Sequence, residues 1–187
     1  MAIVINGSGT VTGLAVGGLP DGTVDSGTLA TDSVTSAKLE ASAITGADLP
    51  AGSVLQVVSG ETTTQTVMNS TTYAATYITA AITPSSTSSK ILVSITSNLE
   101  GNTAGERAFY AIYRGSTNIA QSYMVQSAGT SGSPTFPIAI QKLDSPSSTS
   151  AVTYQLYIKR TTGTIVANIN NTSGNTIGVI TLMEIAG

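Results

Sequence analysis

An apolar residue recurs every ten positions near the start of this chain: Leu14, Val24, Val34, Ile44 and Val54. A second series, Leu19, Leu29, Leu39 and Leu49, runs half a period behind it. The units align as Val24-Asp25-Ser26-Gly27-Thr28-Leu29, Val34-Thr35-Ser36-Ala37-Lys38-Leu39 and Ile44-Thr45-Gly46-Ala47-Asp48-Leu49. Leu19-Pro20-Asp21-Gly22 and Leu49-Pro50-Ala51-Gly52 punctuate the two ends in the same register. A fixed internal period marks a stack of one small unit. Ten is neither the heptad nor the eleven of supercoiled helices, so an ordinary coiled coil is excluded. Each unit reads as a short extended piece ending at Val or Ile. A residue that caps helix starts follows, at Asp25, Thr35 or Thr45. One helical turn then closes on Leu.

Two large apolar residues in ten cannot build a core within one chain, and isolated helical turns are unstable in water. The apolar groups must therefore be buried against something else, and other copies of the chain are the simplest partner. Three copies around an axis give each Val or Leu two equivalents to pack on. On this reading Leu14, Leu19, Val24, Leu29, Val34, Leu39, Ile44 and Leu49 form the interface of a homotrimeric shaft. The alternative is a disordered Ser/Thr-rich linker, but such a linker has no reason to keep phase.

The 187 residues allow one domain plus a shaft, or two small domains. Charged residues make up 9%, far below the roughly 25% of ordinary soluble domains. Hydroxyl, amide and glycine residues take their place, as in extracellular and virion β-proteins. Net charge is −3 with no basic cluster, which argues against nucleic-acid binding. There is no cysteine, hence neither a disulfide framework nor thiolate chemistry. No apolar run approaches the length that spans a membrane. Met1-Ala2-Ile3-Val4-Ile5 lacks the basic start and apolar stretch of a signal peptide. The expectation is synthesis in a cytoplasm and exit by another route, such as lysis.

Residues 1–53 form the expected repetitive segment, opening with a short strand from Ala2 to Ile5 and a Gly-Ser-Gly turn. Residues 54–187 change character. Short β-rich runs occur at 54–58, 73–83, 90–98, 107–114, 118–126, 135–143, 151–160, 164–170 and 176–186, separated by Ser, Thr, Gly and Pro. Ile91, Val93 and Ile95 alternate with Leu92, Ser94 and Thr96. Val152, Tyr154, Leu156 and Ile158 alternate with Thr153, Gln155, Tyr157 and Lys159. This is the two-residue period of half-buried strands. Turns are expected at Pro84-Ser85-Ser86, Arg114-Gly115-Ser116, Asp144-Ser145-Pro146 and Thr162-Gly163. The fold class expected is all-β, with the shaft followed by a jelly-roll-like β-sandwich. The last strand, Thr176 to Ile185, is apolar on both faces, which suits a central strand between the core and a subunit interface. Glu184 within it reads either as an ion pair with Arg107, Arg114 or Lys159 across an interface, or as a solvated edge.

Several phrases resemble fibre proteins of tailed bacteriophages. Gly9-Thr10-Val11-Thr12-Gly13-Leu14, Gly18-Leu19-Pro20-Asp21-Gly22-Thr23-Val24 and Val34-Thr35-Ser36-Ala37-Lys38-Leu39 are similar to N-terminal fibre repeats. Ile82-Thr83-Pro84-Ser85-Ser86-Thr87-Ser88-Ser89-Lys90-Ile91-Leu92-Val93, Leu143-Asp144-Ser145-Pro146 with Thr153-Tyr154, and Ile180-Thr181-Leu182-Met183-Glu184-Ile185-Ala186 are similar to the C-terminal domain of the same kind of fibre. The resemblance covers nearly the whole chain. It implies a homotrimer in the virion. The N-terminus would hold another virion protein of the tail, baseplate or capsid, and the β-domain would face a host cell-surface glycan or protein. It supplies no binding residues. A capsid fibre or connector with a purely structural role remains an alternative to a tail fibre.

Catalytic chemistry has little to work with. Without His or Cys, zinc sites and His-based triads cannot form within the chain. Glu100 and Glu106 flank a short loop, and a carboxylate pair can hydrolyse glycosides, but such a loop is more often solvated surface. That leaves a polysaccharide depolymerase as a lesser alternative. Asp21 and Asp25 lack the dense oxygen pattern of a calcium site. The glycine-rich pieces lack the Lys that completes a phosphate loop. The expectation is a non-enzymatic protein without metal or cofactor. A cellular trimeric ligand of the tumour-necrosis-factor kind shares the β logic, but the absent signal peptide and cysteines oppose it.

Binding remains. Tyr110, Tyr113, Tyr123 and Tyr157 serve either a recognition surface or the lining of the sandwich or trimer axis. Long loops on rigid sheets commonly carry function, which points to 100–107 and 126–134. Asn102, Glu106, Arg107, Ser127, Thr130 and Ser131 are the receptor-contact candidates there. Asn168, Asn170, Asn171 and Asn175 add amides suited to sugar hydroxyls.

Overall fold

The computed structural model describes residues 4–5, 11–12, 29, 31, 34–35, 37, 39, 43–101, 107–125, 135–161, 165–167, 170–171 and 174–187. The chain divides into two compact units, Met1–Ile44 and Thr45–Gly187. In the first, β1 (Val4–Ile5) pairs antiparallel with β2 (Val11–Thr12), Ile5 opposite Val11. Of the repeat residues, Leu29, Val34, Leu39 and Ile44 are 44–58% exposed. Leu14, Leu19 and Val24 lie outside the described residues.

The second unit opens on the last repeat, which takes the conformation its sequence predicts. Gly46–Asp48 is a single 3-10 turn begun by Thr45 and ended by Leu49. Asp48 Oδ2 accepts from the Thr45 N–H at 2.8 Å and from its hydroxyl at 2.7 Å. These bonds hold the Asp48 carboxyl below its ordinary range. The remainder is β-structure, and its long strands match the alternation in the sequence: β3 (Val54–Thr62), β5 (Ala74–Ile82), β6 (Lys90–Gly101), β7 (Arg107–Arg114), β8 (Thr117–Val125), β9 (Thr135–Asp144), β10 (Val152–Arg160) and β14 (Gly178–Ile185). Shorter pieces are β4 (Thr66–Met68), β11 (Ile165–Ala167), β12 (Asn170–Asn171) and β13 (Gly174–Asn175).

Two antiparallel sheets result. One has the order β5-β10-β7-β8. The other runs β3-β14-β6-β9, and β4 and β11 extend it beyond the end of β14. Numbered along the chain, the eight long strands pair first with eighth, second with seventh, third with sixth and fourth with fifth. The chain is thus one long antiparallel ribbon, wound so that alternate pairs fall in opposite sheets, which is the jelly-roll order. The turns expected at Pro84-Ser85-Ser86, Arg114-Gly115-Ser116 and Asp144-Ser145-Pro146 separate strands as expected, and Thr162-Gly163 lies outside the described residues. The hairpin between β7 and β8 is the two residues Gly115-Ser116, with Gly115 at φ +56, a conformation glycine adopts without steric cost.

The inward residues of both sheets make one core. Ile91, Val93, Ile95 and Leu99 of β6 face Ile78 and Ile82 of β5, Ile112 of β7, and Tyr154, Leu156 and Ile158 of β10. Ile180 and Leu182 of β14 complete it. Close approach of the sheets depends on Gly60 of β3, where a Cβ would overlap the Thr79 carbonyl oxygen of β5. β14 is central, between β3 and β6.

Glu184 is neither an interface ion pair nor a solvated edge. It is fully buried, and its partners are neutral donors of its own chain. Oε1 accepts from the Ser85 N–H and hydroxyl, both at 2.7 Å, and Oε2 accepts from Gln56 Nε2 at 2.6 Å. Burial is the largest single influence and opposes the charge. The bonds from Ser85 and Gln56, aided by the nearby Ser89 hydroxyl, outweigh it and keep the carboxyl below its ordinary value.

Candidate functional site

The outer face of the β5-β10-β7-β8 sheet collects most of the aromatic residues. Strand alternation turns Tyr77 of β5, Tyr157 and Lys159 of β10, Phe109 and Tyr113 of β7, and Tyr123 of β8 away from the core. Tyr73, just before β5, folds over the same face. Tyr113 and Tyr157 stack at 3.9 Å between centroids, and Tyr73 leans on Tyr113 at 5.8 Å. Phe109 pairs with Tyr123 at 5.6 Å across the β7–β8 ladder. Ala111, directly beside Tyr157 in the ladder, is fully covered although it points outward. A larger residue there would lift the rings.

Polar groups are threaded through the rings. Lys159 Nζ sits 4.6 Å from the Tyr73 centroid and 5.0 Å from that of Phe109, within reach of a cation–π attraction. The Arg107 guanidinium lies 5.9 Å from the Tyr123 centroid. Gln121 Oε1 accepts from the Tyr73 hydroxyl at 3.1 Å and from Asn118 Nδ2 at 3.2 Å. Both bonds use the same acceptor, so the Gln121 amide nitrogen is the end turned to an outside acceptor. Burial, and next the Tyr113 phenol beside it, raise the Tyr73 pKa, which keeps that hydroxyl a donor. Tyr77 and Tyr123 stand 60% and 56% exposed at opposite sides of the platform.

The electrostatics are one-sided. None of the four strands contains Asp or Glu, while Arg107, Arg114, Lys159 and Arg160 all lie in them. Arg114 is neutralised by Asp144 of the other sheet, at 2.9 Å. Arg107 and Lys159 remain on the outer face. The ladder that carries them is anchored by Thr76, whose hydroxyl donates to Leu156 O at 2.9 Å at a register shift between β5 and β10.

Of the sequence candidates, Arg107 belongs to this face as the exposed first residue of β7. Asn102, Glu106, Ser127, Thr130 and Ser131 lie outside the described residues, as does Asn168. Asn170, Asn171 and Asn175 form a two-stranded ladder, Asn170 opposite Asn175. The tyrosines divide. Tyr110 and Tyr154 are in the core, while Tyr113, Tyr123 and Tyr157 join Tyr73 and Tyr77 outside. Sequence reasoning passed over Tyr73, Tyr77, Phe109 and Gln121. The signal for three of them is parity: Tyr77 alternates with Ile78, and Phe109 and Gln121 lie at even spacing from Tyr113 and Tyr123. A second recess, a cleft of about 460 Å³ lined by Thr45, Leu49, Leu55, Ser85, Ser88 and Gly187, offers hydroxyls and backbone but no charged wall. Among the described residues no group of His, Cys, Asp or Glu is placed to hold a metal ion.

No family model matches the chain, and no curated protein sequence does. Among solved structures, it is similar to a subunit of the disulfide-linked pili called Bacillus endospore appendages. That match has 12% identity and a TM-score of 0.34 over 74% of this chain and 96% of the other. It is also similar to a chain of the infectious bursal disease virus particle, at 9% identity and a TM-score of 0.39, covering 70% of this chain and 36% of that one. A third likeness, to dimeric latent PorU from Porphyromonas gingivalis, has 11% identity and a TM-score of 0.37, covering 76% and 14%. At these values the likenesses assign neither a family nor an activity.

Proposed function

We propose that the chain is a non-enzymatic, homotrimeric fibre protein of a virion, as its resemblance to tailed-phage fibres implies. The repeat segment joins three chains and holds them to another virion protein. The jelly-roll domain presents its aromatic face to a host cell-surface glycan. The observation that carries this reading is the exposure of the repeat residues. Leu29, Val34, Leu39, Ile44 and Leu49 are 39–58% exposed within one chain, and further copies are the simplest periodic partner for such a series.

The platform supports the recognition role. Tyrosine rings offer flat apolar faces with polar tips, and the amides of Asn118 and Gln121 suit hydroxyl groups. With two cations on the outer face and no carboxylate in the four strands, the favoured ligand is a glycan carrying acidic groups. Weak single contacts would be multiplied by three copies per fibre.

Light scattering on the full chain tests assembly: three copies are expected, and a single copy overturns the fibre reading. Binding of the intact protein to an array of acidic and neutral bacterial glycans tests recognition. Binding that Tyr77→Ala and Tyr123→Ala abolish is expected. A trimer that binds neither the array nor cells is instead a capsid fibre or connector.

A further inference from the structure

The two sheets have chemically opposite outer faces, and the second one carries an aliphatic row. In register across all four strands stand Val57 of β3, Met183 of β14, Leu92 of β6 and Leu143 of β9. One step nearer the start of β3 come Val54 and Ile185, also paired. A register shift at Glu184/Ile185 leaves Leu55 as the extra residue, which brings Val54 and Val57 to the same side. Val54, Val57 and Leu143 are 52%, 56% and 49% exposed. The next row is polar without charge: Ser59, Thr181, Ser94 and Gln141, with Gln141 Nε2 bonded to Ser94 Oγ at 3.1 Å. Charged outward residues stand only at the two ends, Lys90 beside Ile185, and Glu61 and Glu100 at the other.

We propose that this face of β3-β14-β6-β9 is the surface through which copies of the same chain pack in the β-domain, with Val57, Leu92, Leu143 and Met183 at its centre. The inference deepens the trimeric reading above and rests on it. Three observations select a second copy as the occupant. Val54, which heads the aliphatic face, is also the last member of the ten-residue series, so a copy packed on either one covers a residue of both. Four strands about 4.8 Å apart make the row roughly 15 Å wide, so its apolar side chains adjoin one another rather than standing scattered singly. Its centre is uncharged, with charges only at the two ends. That is the composition of an interface core, where charged residues are depleted. The aromatic face on the opposite sheet is then left pointing away from the assembly.

The test uses the full chain and light scattering. The double variant Val57→Glu/Leu143→Glu places carboxylates on the row without touching the core. Tyr77→Glu/Tyr123→Glu, on the opposite face, is the control. The expected result is a mass of three copies for the unchanged chain and the control, and a loss of that mass in the Val57/Leu143 variant, with its far-ultraviolet circular dichroism retained. A trimer that survives the Val57/Leu143 change overturns the interface while leaving the trimeric fibre standing. An unchanged chain that is a monomer overturns both. A second measurement covers the case of a misfolded variant. Because the chain has no cysteine, Val57→Cys and Tyr77→Cys each introduce one thiol on exposed strand surface. Val57→Cys should react with a maleimide at least tenfold more slowly than Tyr77→Cys in the assembled protein, and equal rates in a trimer overturn the proposal.

Discussion

The hydroxyl of Tyr154, on β10, donates to Asp144 Oδ2 at the end of β9 at 2.7 Å, tying one sheet to the other. Arg114 of β7 grips the same carboxylate, with Nη1 at 2.9 Å and 3.1 Å from the two oxygens. Tyr154 is fully buried and Arg114 about one-third exposed, so the two bonds differ in worth. Tyr154→Phe should cost about 2 kcal/mol, the range for a hydrogen bond to a charged acceptor. Arg114→Ala should cost about 1 kcal/mol, since solvent screens that pair. Asp144→Ala should cost the most, about 3 kcal/mol, because it orphans the Tyr154 hydroxyl. Urea midpoints of the three variants check this order.

Stability should fall in acid through Glu184. Its carboxyl titrates below the ordinary 4.5 in the folded chain, and at the ordinary value once unfolded. A depressed folded pKa contributes stability that is fully present above about pH 4.5 and is lost as pH falls through the folded value. Glu184→Gln turns an amide N–H₂ toward the Ser85 and Gln56 donors. It should cost about 2 kcal/mol at pH 7 and flatten the acid limb. Denaturation midpoints between pH 7 and pH 2.5 measure both; an acid limb as steep in the variant as in the parent would refute the assignment.

At the alkaline end the sign reverses. Burial, followed by the hydrogen bond to Asp144, pushes the Tyr154 phenol far above its ordinary value of 10. The stability that this protonated form contributes is complete below pH 10 and is lost as pH rises above it. Thermal unfolding should therefore drop beyond pH 10, and less steeply in Tyr154→Phe. The comparison separates this phenol from the exposed tyrosines.

Gly60→Ala adds one methyl group where β3 crosses the Thr79 carbonyl oxygen. Backbone, not a movable side chain, blocks it, so the sheets must part. A loss of 1–3 kcal/mol, as for an overpacked core, should appear in chemical denaturation. Gly115→Ala, which meets nothing in space but has φ +56, should cost about 1 kcal/mol.

Replacing Val34 and Leu39 with Ser should weaken assembly through the repeats while leaving the unfolding free energy of residues 45–187 unchanged within about 0.5 kcal/mol. Sedimentation at falling concentration reads the first, and circular dichroism the second.

Sequence periodicity carried most of the fold because alternation and burial are the same fact in a half-exposed strand. Ile91, Val93 and Ile95, or Tyr154, Leu156 and Ile158, could point only inward once their neighbours were polar. β4 was not legible: Thr66-Val67-Met68 is too short for a period to show. The far half of β3 was lost for a related reason, since Ser59-Gly60-Glu61-Thr62 has no apolar member and owes its place to β14. Glu184 misled because a carboxylate in an apolar strand suggests a cation, whereas the chain answers it with Ser85 and Gln56, distant in sequence and uncharged. The platform was half visible. Tyr113, Tyr123 and Tyr157 drew notice by type, but their meeting with Tyr73 and Lys159 depends on the strand order β5-β10-β7-β8, which no local pattern encodes. Of the four tyrosines singled out by type, Tyr110 lines the core.

The pairing of first strand with last has a mechanical consequence. Tension arriving along the chain at Val54 enters β3 lengthwise, and β14 holds β3 over almost its whole length, from Ile185 opposite Val54 to Gly178 opposite Thr62. The Ala186 backbone closes the near end, its N–H donating to Ser53 O and its carbonyl accepting from the Gly52 N–H, both at 2.8 Å. Such a ladder is loaded in shear, so its bonds must yield together rather than one after another. A domain tethered through this end would resist a pull along β3 far better than a pull that peels β3 sideways.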